Sequence, residues 1–308
     1  MSDAAPAAGR GGPGRPGQLR RSLVPYAYLA PALALYGAFM LVPLGRATQY
    51  SLMEWDGIGS PKFVGLDNFV DIVRDERLRE AFRHALVLIF FYAILPVALG
   101  LVLAALLTRS RVRGLGFFRT VIFLPQVIAM VVVAVTWRQI YAPDGALNNV
   151  LRLVGLDRLT RTWLGDYTLT LPAVGLIGTW VSTGLATVLL MAGMSKVPRD
   201  LYEAARLDGA GAVREFFAIT LPAVRGETVV ALTLTIIAAL KTFDLVYVTT
   251  SGGPGTSTTV PSYEVYRLAF EVGDVGGAAA MGIALTIVVF VITALVNRIG
   301  GGRVGEAR

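Results

Sequence analysis

Six runs of about twenty apolar residues leave this chain little choice but to fold in a lipid bilayer. They cover residues 24–44, 85–107, 121–140, 171–194, 228–250 and 278–296. At 1.5 Å of rise per residue, about 20 helical residues cross a hydrocarbon core ~30 Å thick. Helix is the expected form, because it satisfies each N–H and C=O within its own segment where no water can do so. The rest of the composition agrees: 55% of residues are hydrophobic and 16% charged, against about 25% charged in soluble domains. The first run has 21 residues, too long for the 7–15-residue core of a signal peptide, and no convincing small-residue cleavage site accompanies it. It reads as a retained span. With no cysteine and a single histidine, His84, neither a disulfide framework nor a thiolate or imidazole metal cluster is available.

A net charge of +7 could indicate nucleic acid, but its distribution argues otherwise. Segments 1–23, 108–120, 195–227 and 297–308 hold 16 of the 28 lysines and arginines. Loops 45–84, 141–170 and 251–277 hold 10, and the first of these offsets its six with seven acids. Basic loops stay on the cytoplasmic side. Both termini are therefore expected there, and the charge is an orientation signal toward lipid with no nucleic-acid partner implied. Residues 1–20, rich in Gly, Pro, Ala and Arg, are expected to be a disordered cytoplasmic tail, and 297–308 a second tail.

The loop 195–227 carries the most local information. Pro198 suits the first turn of a helix, where its missing N–H has no partner to lose, and Asp200 complements the positive helix end. Leu201, Ala204 and Ala205 share one face of that helix, and Arg199, Glu203 and Arg206 another. Gly209 falls where a helix ends at positive φ. A second helix, about 211–220, presents Phe216 and Phe217 and is expected to stop at Leu221-Pro222. The result is a compact knob suited to a cleft on another protein. Judged on the residues alone, a plain amphipathic helix lying on the headgroups fits as well.

Glu203, Ala204, Ala205, Asp208, Gly209, Ala210, Phe216, Ile219, Leu221 and Pro222 stand at the spacing of the EAA loop of permease subunits in binding-protein-dependent ABC importers. The chain resembles that family. Gly226 departs from it, standing where many relatives carry proline. Phe117-Phe118-Arg119-Thr120 with Phe123-Leu124-Pro125, Val64-Gly65-Leu66-Asp67-Asn68-Phe69, and Phe243-Asp244-Leu245-Val246-Tyr247 before Gly252-Gly253-Pro254 are similar to its carbohydrate subgroup. That subgroup includes the first subunit of lactose, glycerol-phosphate and maltose systems, and the likeness spans 24–296.

The resemblance implies an all-α membrane protein of six transmembrane helices, with the type I ABC importer permease fold and cytoplasmic EAA coupling helices. It implies a heterodimer with a second homologous permease, an ABC ATPase dimer docked on the ten loop residues, and an extracytoplasmic sugar-binding protein above. The chain would be no enzyme and bind no cofactor, ATP and Mg residing on the ATPase. Its home would be a bacterial or archaeal cytoplasmic membrane.

In the family the solute cavity is lined by the spans flanking the loop, with help from the third. Carried onto this sequence, that gives Gly178, Ser182, Leu185, Ala239 and Thr242, with Gln126 and Met130 from the third span. Several are smaller and less polar than the amides some relatives use, and small residues also serve close helix packing. Lys241 and Asp244 are midspan charges, each costing roughly 2.5–3.5 kcal/mol on insertion scales. At i and i+3 they could meet on one helix side, at the cavity wall or at a subunit interface. Trp180 could stack a pyranose ring or simply pack, and Arg138 is expected to snorkel outward.

Other classes fare worse. The Gly/Ser/Thr-rich stretch 251–259 lacks the Gly-Lys-Ser/Thr ending of a phosphate loop. A membrane glycosyltransferase would need paired acids or a metal at one interface. A secondary transporter would work without ATP, and glycerol 3-phosphate remains an alternative cargo to sugar.

Overall fold

The computed structural model describes residues 28–109 and 114–301; the expected 1–20 tail lies outside them. Residues up to Gln49 form one unit and Tyr50 onward a second. Among its described residues the first unit is one apolar helix, α1 (Tyr28–Tyr50), whose last residue falls at the unit boundary, with a wide turn at Gly37–Leu41.

The second unit begins with a short antiparallel hairpin, β1 (Met53–Glu54) and β2 (Lys62–Phe63), and helix α2 (Asp67–Arg74). Asp75 ends α2 and caps α3 (Glu76–Thr108), its carboxylate accepting from the backbone N–H of Arg77 at 2.8 Å and of Leu78 at 3.3 Å. Such a cap satisfies donors that a helix start leaves orphaned. The charged stretch 71–83 thus divides at Asp75 and runs directly into the second span.

The remaining helices are α4 (Leu115–Val127), α5 (Met130–Ile140), α6 (Ala146–Leu153), α7 (Thr170–Met194), α8 (Arg199–Leu207), α9 (Ala212–Ala223), α10 (Arg225–Leu240), α11 (Asp244–Thr249), α12 (Pro261–Tyr266) and α13 (Val275–Gly301). Among the described residues four helices, α1, α3, α7 and α13, are long and apolar enough to cross a membrane singly; the count reaches six if each bent pair, α4 with α5 and α9 with α10, is one span. The last helix runs through 297–301, so part of the expected second tail is helical.

Two expected spans are interrupted. The run 121–140 is broken between α4 and α5, which meet at 96°. Ile128 and Ala129 there take extended backbone, with ψ of 135° and 132°. The run 228–250 breaks after Leu240 and restarts at Asp244. Non-helical backbone at membrane depth is tolerated only where protein buries it or water lines it, so both breaks mark positions of special use.

Helix α7 is the spine of this unit, with most of its residues buried. Glycines let its neighbours close on it: a Cβ on Gly175 would meet Phe91 at 2.5 Å, and one on Gly184 the Ile122 carbonyl at 2.4 Å. Leu88, Tyr92, Ile177, Val181, Ala239, Leu245 and Val246 build the largest cluster, with Met130 and Phe243 against its edge. Both helix breaks therefore abut one core.

Beyond α11, the buried carboxylate of Glu264 accepts from Arg77 Nε at 2.8 Å, Arg267 Nε at 2.6 Å and the Thr259 hydroxyl. Thr256 donates to Glu80 Oε2 at 2.8 Å, and His84 Nδ1 lies 3.0 Å from the Thr259 carbonyl. These bonds fasten the 251–264 segment to the start of α3. Glu264 was not singled out in the sequence: one acid near an apolar run carries no signal until its two arginines, one of them 187 residues away, are seen together.

Candidate functional site

The 195–223 loop folds as a helix–turn–helix. Helix α8 closes with Gly209 at φ +79°, where the Gly209 N–H donates to the Arg206 carbonyl at 3.0 Å and the Ala210 N–H to that of Ala205 at 2.9 Å. That pair of bonds defines a Schellman closure, and glycine is the residue that reaches this φ without strain. The turn then drives the chain back into α9. Glu215, 2% exposed, accepts from Arg206 Nε at 3.1 Å and so pins the two helices together. The Tyr202 and Thr220 hydroxyls lie 3.0 Å apart and add a second tie.

Leu221-Pro222 does not end the second helix, contrary to expectation. Helix α9 continues to Ala223 through a wide turn at Phe216–Thr220, with the Leu221 N–H reaching the Phe216 carbonyl. Widening the turn accommodates a proline that cannot donate. A 71° bend at Val224 then leads into α10. Lys196 and Glu227 pair at 3.0 Å across the loop's base. The pair tethers the end of α7 to the start of α10.

The tip is unusually apolar for a polar loop. Leu207 is 90% exposed, Val213 71% and Phe217 61%. Phe216 stands edge-on to Phe217 at 5.2 Å. Of the ten motif residues, Glu203, Ala204, Asp208, Gly209 and Pro222 are exposed, and Ala205, Ala210, Phe216, Ile219 and Leu221 are half-buried. Leu207 and Val213 flank the glycine turn and were not singled out; an apolar residue beside charged neighbours reads as core until its exposure is seen. The arrangement offers a rigid apolar knob with charges around it, the form of a protein-docking element.

The expected solute-path residues separate into two groups. Gly178, Ser182, Ala239 and Thr242 are buried within the chain. A Cβ on Gly178 would fall 2.0 Å from Tyr92 Cε2, and Tyr92 Oη sits 3.2 Å from Thr242 Oγ1. Gly178 and Thr242 thus close on Tyr92, and Ala239 belongs to the largest core cluster. Leu185 and Met130 are half-buried, and Gln126, Lys241 and Asp244 are exposed.

The reading of Lys241 and Asp244 as an i, i+3 pair on one helix is corrected. Helix α10 ends before Lys241 and α11 begins at Asp244, and among the described residues no ion pair joins them. The interruption removes the helical register that would have brought them together. Arg138 does not simply snorkel either: its Nη1 donates to the Val248 carbonyl at 3.3 Å. Trp180 stands edge-on to Trp137 at 5.6 Å and is 42% exposed.

Past the fifth-span break runs an aromatic series absent from the sequence reading. Phe243 and Tyr247 stack at 5.2 Å and 16°. Tyr266 lies 5.2 Å from Tyr247, and Phe270, 79% exposed, 5.4 Å from Tyr266. Their i, i+4 spacings, 243 to 247 and 266 to 270, were visible, but not that the two segments lie side by side.

Comparison with known proteins agrees with this geometry. Residues 96–302 match the family described as the binding-protein-dependent transport system inner membrane component. The diacetylchitobiose uptake system permease protein NgcF of Streptomyces coelicolor is 37% identical over 98% of this chain and 90% of its own. The sn-glycerol-3-phosphate transport system permease protein UgpA of Escherichia coli is 33% identical over 92% and 96%. Among solved structures, a bacterial alginate ABC transporter in complex with an alginate pentasaccharide-bound periplasmic protein aligns with a TM-score of 0.77, 25% identity, and coverage of 92% of this chain and 96% of that one. This chain belongs to the binding-protein-dependent inner membrane component family: it is a membrane-spanning ABC transporter permease, a transport subunit whose ATP hydrolysis is carried out by a separate protein.

Proposed function

We propose that the chain forms half of the translocation path of an ATP-driven importer for oligosaccharides or simple sugars. A second, homologous permease forms the other half. Two ATPase subunits bind from the cytoplasm, and an extracytoplasmic sugar-binding protein delivers the cargo. Both termini lie in the cytoplasm. The observation that carries this reading is the 199–223 knob: a glycine-closed turn, an internal Arg206–Glu215 tie and the exposed apolar tip of Leu207, Val213 and Phe217. A connector has no use for such a tip, whereas a docking wedge does.

The mechanism follows from rigidity. ATP never touches this chain, so closure of the ATPase pair must reach the membrane as force. The knob takes up that motion. The Lys196–Glu227 pair at its base passes it to α7 and α10 together, and the spans tilt as one body. The solute meets the exposed groups at the two breaks: Gln126 on one, Lys241 and Asp244 on the other. Tyr247, Tyr266 and Phe270 lie next along the chain's outer half, offering flat faces to the C–H side of a pyranose while charges and amides bond its hydroxyls. The chitobiose and alginate systems among the similar proteins favour a saccharide cargo.

The test is uptake into proteoliposomes holding this chain with its partner permease, ATPase and binding protein. Labelled chito- or malto-oligosaccharide should accumulate only with ATP. Uptake of glycerol 3-phosphate alone would replace the cargo while keeping the importer, and ATP-independent accumulation would reject the reading.

A further inference from the structure

A cavity of about 510 Å³ lies between α8 and the inner ends of the second, third and fourth spans. Its lining mixes apolar and charged side chains. Leu107, Leu115 and Met194 give it an apolar wall at the level where α3 ends, α4 begins and α7 ends. Arg199 and Arg206 from α8 also line it, as does Arg119 of α4, one helical turn beyond Leu115. Among the described lining residues Glu203 is the one acid, against these three arginines. Arg206 commits its Nε to Glu215, while Arg119 and Arg199 make no ion pair among the described residues. Helical spacing places Arg199, Glu203 and Arg206 on one face of α8. In the structure that face lines the cavity, while Leu207 beside it is the exposed tip.

Unpaired guanidiniums beside an apolar wall, at the depth where hydrocarbon gives way to headgroups, suit an amphiphile with an anionic head. Guanidinium bonds phosphate oxygens in a matching planar fork, and basic pockets at the cytoplasmic ends of spans hold acidic headgroups. Inorganic phosphate shares the headgroup chemistry but would leave the apolar wall unused. We propose that this crevice binds an anionic phospholipid of the inner leaflet, its phosphate on Arg119 and Arg199 and its acyl chains along Leu107, Leu115 and Met194. The lipid would then brace the coupling helix from the side away from its tip, making transport depend on membrane composition. This rests on the cytoplasmic placement of the loop proposed above.

The test uses the whole importer, purified with its partner chains and returned to vesicles of phosphatidylcholine alone or mixed with phosphatidylglycerol. Lipid retained by the complex is read by native mass spectrometry and ATP hydrolysis in parallel. The wild type should retain phosphatidylglycerol preferentially and hydrolyse faster in the mixed vesicles. Arg119→Gln should weaken retention about fivefold, the factor for one cation near an anionic surface, and blunt the stimulation; Arg119→Lys should restore much of both. Unchanged retention in Arg119→Gln overturns the proposal. So does stimulation by inorganic phosphate in phosphatidylcholine vesicles, which would make the site an ion site. Loss of the ATPase from the Arg119→Gln complex would likewise overturn it, assigning the cavity to protein docking. Lipid retention is read without transport, so failure of uptake in every lipid would reject the importer reading and leave this result to stand alone.

Discussion

Replacing Gly209 separates two ways in which the loop could matter. Its φ of +79° lies in the left-handed region, yet nothing in the chain comes within 4 Å of where a Cβ would stand. Alanine there meets no internal clash and carries only the torsional cost, about 1–2 kcal/mol. That cost opposes the Schellman closure, lowering the fraction of correctly turned loops by a factor of about 5–30. Asparagine tolerates the left-handed region better, since its short side chain bonds locally, and a β-branched valine tolerates it worst. If turn geometry is what the ATPase reads, ATP-driven uptake should rank Gly209→Asn above Gly209→Ala, and both above Gly209→Val. The ATPase retained on the purified complex should follow the same order, with insertion of the chain unchanged. If instead the partner's surface simply has no room for a side chain, the order follows size and alanine comes out best. Full uptake by Gly209→Ala with none by Gly209→Asn would refute the torsional argument.

Other perturbations probe other parts. Glu264→Ala strips the shared partner from Arg77 and Arg267 and should destabilise by about 3–5 kcal/mol, read as a lower melting temperature in detergent; Arg77→Ala should cost less because Arg267 still pairs with the carboxylate. Gly178→Ala forces a methyl into the Tyr92 ring and should cost about 1–3 kcal/mol, part of it recovered with Tyr92→Leu in a double-mutant cycle. Asp244→Asn should leave the melting temperature unchanged and alter the concentration dependence of uptake, since its side chain is exposed beside the fifth-span break; unaltered uptake would remove it from the path.

Much of this molecule was legible in the chain because a bilayer enforces a simple rule. Apolar length reports a span, and α3, α7 and α13 cover the expected runs 85–107, 171–194 and 278–296. The loop was legible for a different reason: Pro198, Gly209 and the paired phenylalanines act through local backbone geometry, which sequence states directly. The two breaks were not legible. Ile128-Ala129 and 241–243 carry no glycine or proline to announce them, yet the first pair is extended and the second stretch leaves the helix at Lys241 and Phe243. The buried path candidates were ambiguous for the same reason. A small residue such as Gly178 or Ala239 is equally consistent with a cavity and with a close contact, and only Tyr92, some 86 residues away from Gly178 in the sequence, decides between them. Long-range pairing also hid the Glu264 cluster and the cavity behind α8.

The central claim, that an apolar wedge on the inner face receives force from an ATPase, has a direct measurement. The chain contains no cysteine, so Leu207→Cys at the exposed tip supplies a unique thiol. A membrane-impermeant maleimide should label it in inverted vesicles and not in intact cells, and binding of the ATPase should protect it. A bifunctional thiol reagent should join it to the ATPase, with a yield that changes when ATP is bound. Labelling from outside intact cells, or a thiol indifferent to the ATPase, would contradict the account.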